Sequence, residues 1–270
     1  MISSTSSARV RAGMLVLALA LIGGLGCAAI GTAGNARYES QQQAFEAQRV
    51  RSVAELTPAA EAGDPAAMVL LAQAMLSPRS QGSMPEALDW LSRAAARNDG
   101  PAQALLGDVL ASGHVSFGSF VTLPEAWRDR ARGLDLLRKA ASQACRFKLP
   151  AANGRPTLII EPALKLADYL RVDGEPVQAR VWHARSVVHC GSPGADHMAS
   201  ILTKLHPRPE AQVELFSLLL LLGDAAAIVE ASPSLTPENR AAAAREAAGL
   251  RSLLAESERR YPAPKHKELP

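Results

Sequence analysis

The densest set of side chains able to do acid–base or metal chemistry is His183, His189, Asp196 and His197. A zinc-binding helix places its imidazoles on one face, as the two histidines of His-Glu-x-x-His do. His183 and His189 differ by six positions and so face different directions on a helix, which favours capping and surface roles over a metal centre. His114 has no carboxylate or cysteine at a useful spacing. Ser-His-Asp catalysis is recognised locally by a signature such as a nucleophile elbow, and none is present. The glycine-rich stretches fall in the apolar N-terminus or in turns, so no phosphate cradle is expected. A hydrolase would have to bring Glu125, Asp168, Asp173 and His183 into one cleft, a convergence that spacing alone does not supply. The expectation is a chain with no catalytic residue, no bound metal and no cofactor.

The composition says what must position any such side chains. Of the 270 residues 48% are hydrophobic and only 4% aromatic, and Ala and Leu tracts outnumber β-branched runs. That pool favours helices packed through small residues. The 29 basic and 26 acidic residues leave a net charge of +3, too even a balance for a nucleic-acid partner, which would need its basic residues gathered on one face. Arg128, Arg130 and Arg132 are interrupted by Asp129 and read as a solvated helix face.

The N-terminus directs the chain across a membrane. Arg9 and Arg11 precede an uncharged stretch from Ala12 to Ala36, the order of an export signal with its basic end left in the cytoplasm. Gly24-Leu25-Gly26-Cys27 resembles a bacterial lipobox with Cys27 as the lipidated residue, although Gly24 stands where Leu is expected and the apolar stretch continues past the Cys. The stretch is also long enough to remain as a transmembrane helix, and Asn35-Ala36 offers a simple cleavage point. All three routes place the chain beyond Arg37 on the periplasmic side of a bacterial envelope, and two of them tether it to the membrane.

Beyond that segment the chain repeats itself. EALDWLSRAA at 86–95 returns as RGLDLLRKAA at 132–141, and GDPAAMVLLAQAM at 63–75 is echoed by DGPAQALLGDVL at 99–110. A weaker third copy is PALKLADYL followed by QARVWHARSVV, carrying Leu166, Ala179 and Trp182. Spacings of three and four put Ala67, Leu71 and Met75 on one helix face, and Ala87, Trp90 and Ala94 on one face of the next. Small residues let the backbones approach, and the copies must stack to bury these faces. Ser83-Met84-Pro85-Glu86 and Thr122-Leu123-Pro124-Glu125 both read as capping boxes, and Thr236-Pro237-Glu238 opens the last helix similarly.

At these positions the chain resembles the Sel1-like repeat family, kin of the tetratricopeptide repeats. The matching residues are Ala67, Leu71, Ala72, Ala87, Trp90, Ala94 and Ala95 in one copy, and Ala102, Leu106, Gly107, Leu136, Ala140 and Ala141 in the next, with Gly133 in an Ala place. The resemblance implies an all-α fold, an α-solenoid of stacked antiparallel helix pairs. It also implies an adaptor rather than an enzyme, of the exported kind that scaffolds polysaccharide-export or secretion machinery or regulates envelope signalling. Some cysteine-rich relatives are linked to penicillin-type ligands, but this chain lacks their one-disulfide-per-repeat pattern, which counts against the same ligand here. The alternative reading is a hydrolase of cell-wall or β-lactam material.

The organisation expected is a signal or anchor at 1–36, a helical lead-in at 37–62, and repeats over 63–191. C-terminal helices with a capping helix come next at 192–260, then a flexible tail at 261–270. Cys145 and Cys190 fall at nearly equivalent ends of second helices in consecutive repeats, and export permits their pairing as a disulfide. Insertions interrupt the repeats near 114–127 and 146–160, and such insertions often form a solenoid's binding side. Phe117, Phe120, Val121 and Trp127 are therefore the expected contacts to a protein or peptide partner.

Overall fold

The computed structural model describes residues 39–41, 43–44, 46–76, 83–116, 120–149, 158–191, 213, 216–218, 220–221 and 236–269. The chain divides into two units, 1–51 and 52–270. Cys27, Phe117, Asp196 and His197 lie outside the described residues. In the first unit the described residues are helical, and Arg49 Nε donates to both carboxylate oxygens of Glu46 at 2.9 and 3.0 Å. Among the described residues no helix is long and apolar enough to cross a membrane.

In the second unit a helical lead-in over 52–61 precedes α1 (Pro65–Met75), α2 (Met84–Ala96) and α3 (Gly100–Ser112). The hairpin β1 (His114–Ser116) and β2 (Phe120–Thr122) comes next, then α4 (Arg130–Ala141), β3 (Ala144–Leu149) and β4 (Leu158–Ile160). After them come α5 (Pro162–Val172), α6 (Pro176–Cys190), α7 (Pro237–Arg260) and β5 (His266–Leu269).

The helix starts are written locally. Asp64 accepts from Ala66 N at 2.9 Å, Asp99 from Ala102 N at 2.8 Å and Thr236 from Asn239 N at 3.2 Å, each with Pro in the first turn. Two expected caps differ. Ser83 makes no side-chain cap bond at α2. Thr122 closes β2 instead, and the segment after it makes only a 3₁₀ turn at Glu125–Trp127, so α4 starts later under Asp129, which accepts from Arg132 N at 3.0 Å.

Helix α1 packs chiefly on α2, α3 on α4 and α5 on α6, while α2 meets α3 and α4 meets α5. The repeated letters form the core: Leu71, Ala72, Ala87, Ala94, Ala102 and Ala140 are all at 0% exposure, and Ala67, Trp90, Ala95, Leu106, Leu136, Ala141, Leu166, Ala179 and Trp182 are buried beside them. Helix α4 serves two apolar clusters. Leu136 and Ala140 join the one built from α1, α2 and α3, whereas Leu134, Leu137 and Ala141 join the one with α5 and α6. Gly107 and Gly133 mark a close approach in the stack. A Cβ on Gly133 would stand 2.6 Å from Ala111 N and 2.8 Å from Gly107 O, which brings α3 and α4 into backbone contact.

The fold is mostly helical but not all-α. Residues 145–160, expected as a partner-facing insertion, contribute β3 and β4 of a three-stranded sheet in the order β4-β3-β5. Period-two burial explains it: Cys145, Phe147 and Leu149 point into the core while Arg146 and Lys148 point out. The expected flexible tail is also corrected. His266–Leu269 pair parallel to β3, with Ala144 opposite His266, Arg146 opposite Glu268 and Phe147 opposite Leu269.

Candidate functional site

Helix α7 lays Ala243, Ala247, Leu250 and Leu254, spaced by four, three and four, into the interior, and it packs on α6. At the end of α7 the chain turns through Tyr261, whose ring meets Trp182 at 5.6 Å between centroids and 57° between planes. Arg185 fastens this corner. Only 1% exposed, it donates to the carbonyls of Tyr261 and Pro262 and lies 5.1 Å from the Trp182 ring centre. Burial lowers its pKa and the Glu258 carboxylate opposes that, so the guanidinium is held by the helix-end carbonyls it bonds. His189 contacts Glu258 and closes the same junction.

Beside this corner lies a groove of about 470 Å³, within the range of ligand and peptide clefts. Its floor is apolar, built from Val181, Trp182, Leu253 and Tyr261. Its rim is charged, with Arg138 and Arg260 against Glu175 and Glu256. Such an arrangement can seat an apolar side chain while the rim holds polar groups of either sign.

The other charged groups lock helices together. Asp108, 6% exposed, accepts the Tyr169 hydroxyl and pairs with Lys165 Nζ at 3.2 Å. Burial, with the Asp108 carboxylate, pushes the Tyr169 phenol well above its usual range, so it stays a protonated donor. Arg130 donates from Nε to both Asp173 oxygens at 2.7 and 2.8 Å, and to the carbonyls of Ala111 and Tyr169. The expected solvated face at 128–132 holds for Arg128 and Arg132, which are exposed, whereas Arg130 is half-buried. Arg130 ties the ends of α3 and α5, Arg128 Nε donates to Leu123 O at 3.1 Å and Arg132 to Ser92 Oγ at 3.0 Å.

Of the expected partner contacts, Phe120 and Val121 lie on β2, and Trp127 sits in the 3₁₀ turn at 36% exposure. Leu123 between them is buried in the core. Glu125 pairs with Arg128, Asp168 with Arg171 and Asp173 with Arg130, so three of the four residues a hydrolase would need each answer to a separate arginine. Among the described residues no three His, Cys, Asp or Glu side chains are grouped to hold a metal. Cys145 and Cys190 are bonded, with Cα atoms 5.4 Å apart. Cys145 reaches its partner from β3 rather than from a helix end.

Sequence reasoning missed Arg185 and Tyr261 as the makers of the corner. One signal was available: Arg185 falls three residues after Trp182, on the packing face, where a charge must find partners. No family model matches the chain, and neither a curated protein nor a solved structure matches it.

Proposed function

We propose that the protein is a non-catalytic adaptor of the Sel1-like repeat kind, an α-solenoid of stacked helix pairs tethered to the envelope through its N-terminus and exposed on the periplasmic side. Its task is to hold a protein or peptide partner, and the resemblance suggests a polysaccharide-export, secretion or envelope-signalling assembly as the setting. The observation that carries the reading is the groove between α6 and α7, where an apolar, aromatic floor is ringed by charges of both signs. The succession of packed helix pairs around glycine and alanine contacts supports the repeat reading.

The test is cross-linking in membranes followed by capture of the tagged full chain, compared with an Arg138→Glu, Leu253→Asp double variant. Wild type should retain a defined partner that the variant loses while keeping its thermal unfolding midpoint. Hydrolysis of cell-wall or β-lactam substrate by the purified chain alone, abolished by one carboxylate or histidine change, would sink the adaptor reading.

A further inference from the structure

The disulfide joins two unlike places. Cys190 is half-buried and is the last residue of α6, which Gly191 closes in the left-handed region at φ +56°. Cys145 lies in β3 and is only 7% exposed. A cavity of about 290 Å³ opens on both cysteines, and its wall carries the charged residues Arg146, Glu161, Lys267 and Glu268. A hydrated thiol can enter such a space at little desolvation cost.

The charges there do not cancel. Arg146 pairs with Glu161 at 2.9 Å, and Glu268 pairs with Lys148, outside the cavity, at 2.7 Å. Lys267 is exposed and has no side-chain partner among the described residues. Cys145 stands between the residues paired with His266 and Glu268, which makes Lys267 its cross-strand neighbour. From there the side chain reaches the other cysteine's end, its Nζ 3.6 Å from where a Cβ on Gly191 would stand. An unmatched ammonium therefore lies across the disulfide. Strand β5, which carries it, is well seated: Lys265 N and His266 N both donate to Gln143 O at 3.2 Å, and Leu269 packs on the core.

The two sulfurs are not equivalent in exchange chemistry, which needs an accessible sulfur to attack and a stabilised thiolate to leave. Cys190 is the more accessible. Were it the leaving group, its negative charge would fall on the negative end of α6. Cys145 instead has the Lys267 ammonium as its neighbour, and a nearby cation stabilises a thiolate. Attack at Cys190 with departure of Cys145 is the favoured direction. The surrounding fold can stay closed throughout. Helix α6 remains bound to α7 and its end through Arg185 on the Tyr261 and Pro262 carbonyls, His189 on Glu258, and Arg180 on Glu246 at 2.9 Å.

We propose that Cys145–Cys190 is a thiol-exchange site, attacked at Cys190 Sγ in the folded protein, and that its reaction partner is a dithiol redox protein. One thiolate of the partner bonds to Cys190 Sγ as the Cys145–Cys190 bond breaks, and Cys145 leaves as a thiolate beside Lys267. The partner's second thiolate then bonds to its first sulfur and expels Cys190. The partner loses two electrons and becomes a disulfide, while the two cysteines are reduced and take up the two protons of the dithiol. In the product the end of α6 is unfastened from β3.

The experiment treats the oxidised full chain with 2-mercaptoethanol, quenches with acid and locates the mixed disulfide by peptide mass mapping. Dithiothreitol, a dithiol, then gives the rate of complete reduction. The adduct should sit on Cys190, and the rate should stay level across urea concentrations below the unfolding transition. Lys267→Met should slow reduction about threefold, whereas Lys267→Arg should keep the wild-type rate. An adduct on Cys145, a rate that climbs with urea as global unfolding does, or equal rates for wild type and Lys267→Met would each overturn the proposal.

Discussion

Two helical glycines should respond to the same substitution with opposite signs. Gly249 lies in α7 with nothing within 4 Å of where a Cβ would stand. Alanine there should stabilise the protein by about 0.5–1 kcal/mol, the difference in helix propensity. At Gly133 that gain meets a steric conflict. The nearest atoms are Ala111 N at 2.6 Å, Gly107 O at 2.8 Å and Ala111 Cα at 3.0 Å, all of them backbone. No rotamer change can relieve them, so α3 and α4 must separate by several tenths of an ångström along a contact shared by both apolar clusters. Overpacking of this kind costs ~1–3 kcal/mol. The rigid neighbours place Gly133→Ala at the upper end, for a net loss of about 2 kcal/mol. Urea denaturation followed by circular dichroism reads both variants. With a slope of roughly 2 kcal/mol per M, the Gly133→Ala midpoint should fall by about 1 M and that of Gly249→Ala should rise slightly. A Gly133→Ala protein as stable as wild type would refute the close approach of the two helices.

Two further outcomes concern the cross-link and the buried phenol. Replacing both Cys145 and Cys190 by Ser should lower stability by about 4 kcal/mol from loop entropy, since the bond closes a span of 45 residues; an unchanged urea midpoint would mean that the sulfurs are not joined. The raised pKa of Tyr169 predicts stability that is intact below the ordinary tyrosine range near pH 10 and falls above it, because the unfolded chain ionises first. Tyr169→Phe should flatten that decline by at most about 1.4 kcal/mol per pH unit, less for solvent screening of a half-buried ring. An alkaline slope identical in the two proteins would argue against burial of the phenol beside Asp108.

The packing faces were legible because burial leaves a periodic trace. Ala67, Leu71, Ala87, Trp90 and Ala94 recur at helical spacing, and every one of them is buried. The cysteine pairing was legible too, but for a reason that was half right: proximity held, whereas the helix end expected at Cys145 is a strand. The features that escaped depend on contacts distant in sequence. HKEL carries little apolar signal, and β5 exists only because β3 offers it an edge. Arg130 looked solvated within its own helix, since its partners Ala111, Tyr169 and Asp173 come from two others. The groove beside Tyr261 has the same origin, as its floor is assembled from α6, α7 and the residue that ends α7.

The parallel pairing of β3 with β5 also bears on the order of folding. Strand β4 is the next element after β3 and pairs with it antiparallel, whereas β5 returns to β3 only after α5, α6 and α7. Closing so long a loop costs more entropy than closing the β3–β4 pair, so the second ladder forms more slowly. Until it does, β3 presents an unfilled edge, the kind of surface on which partly folded chains aggregate.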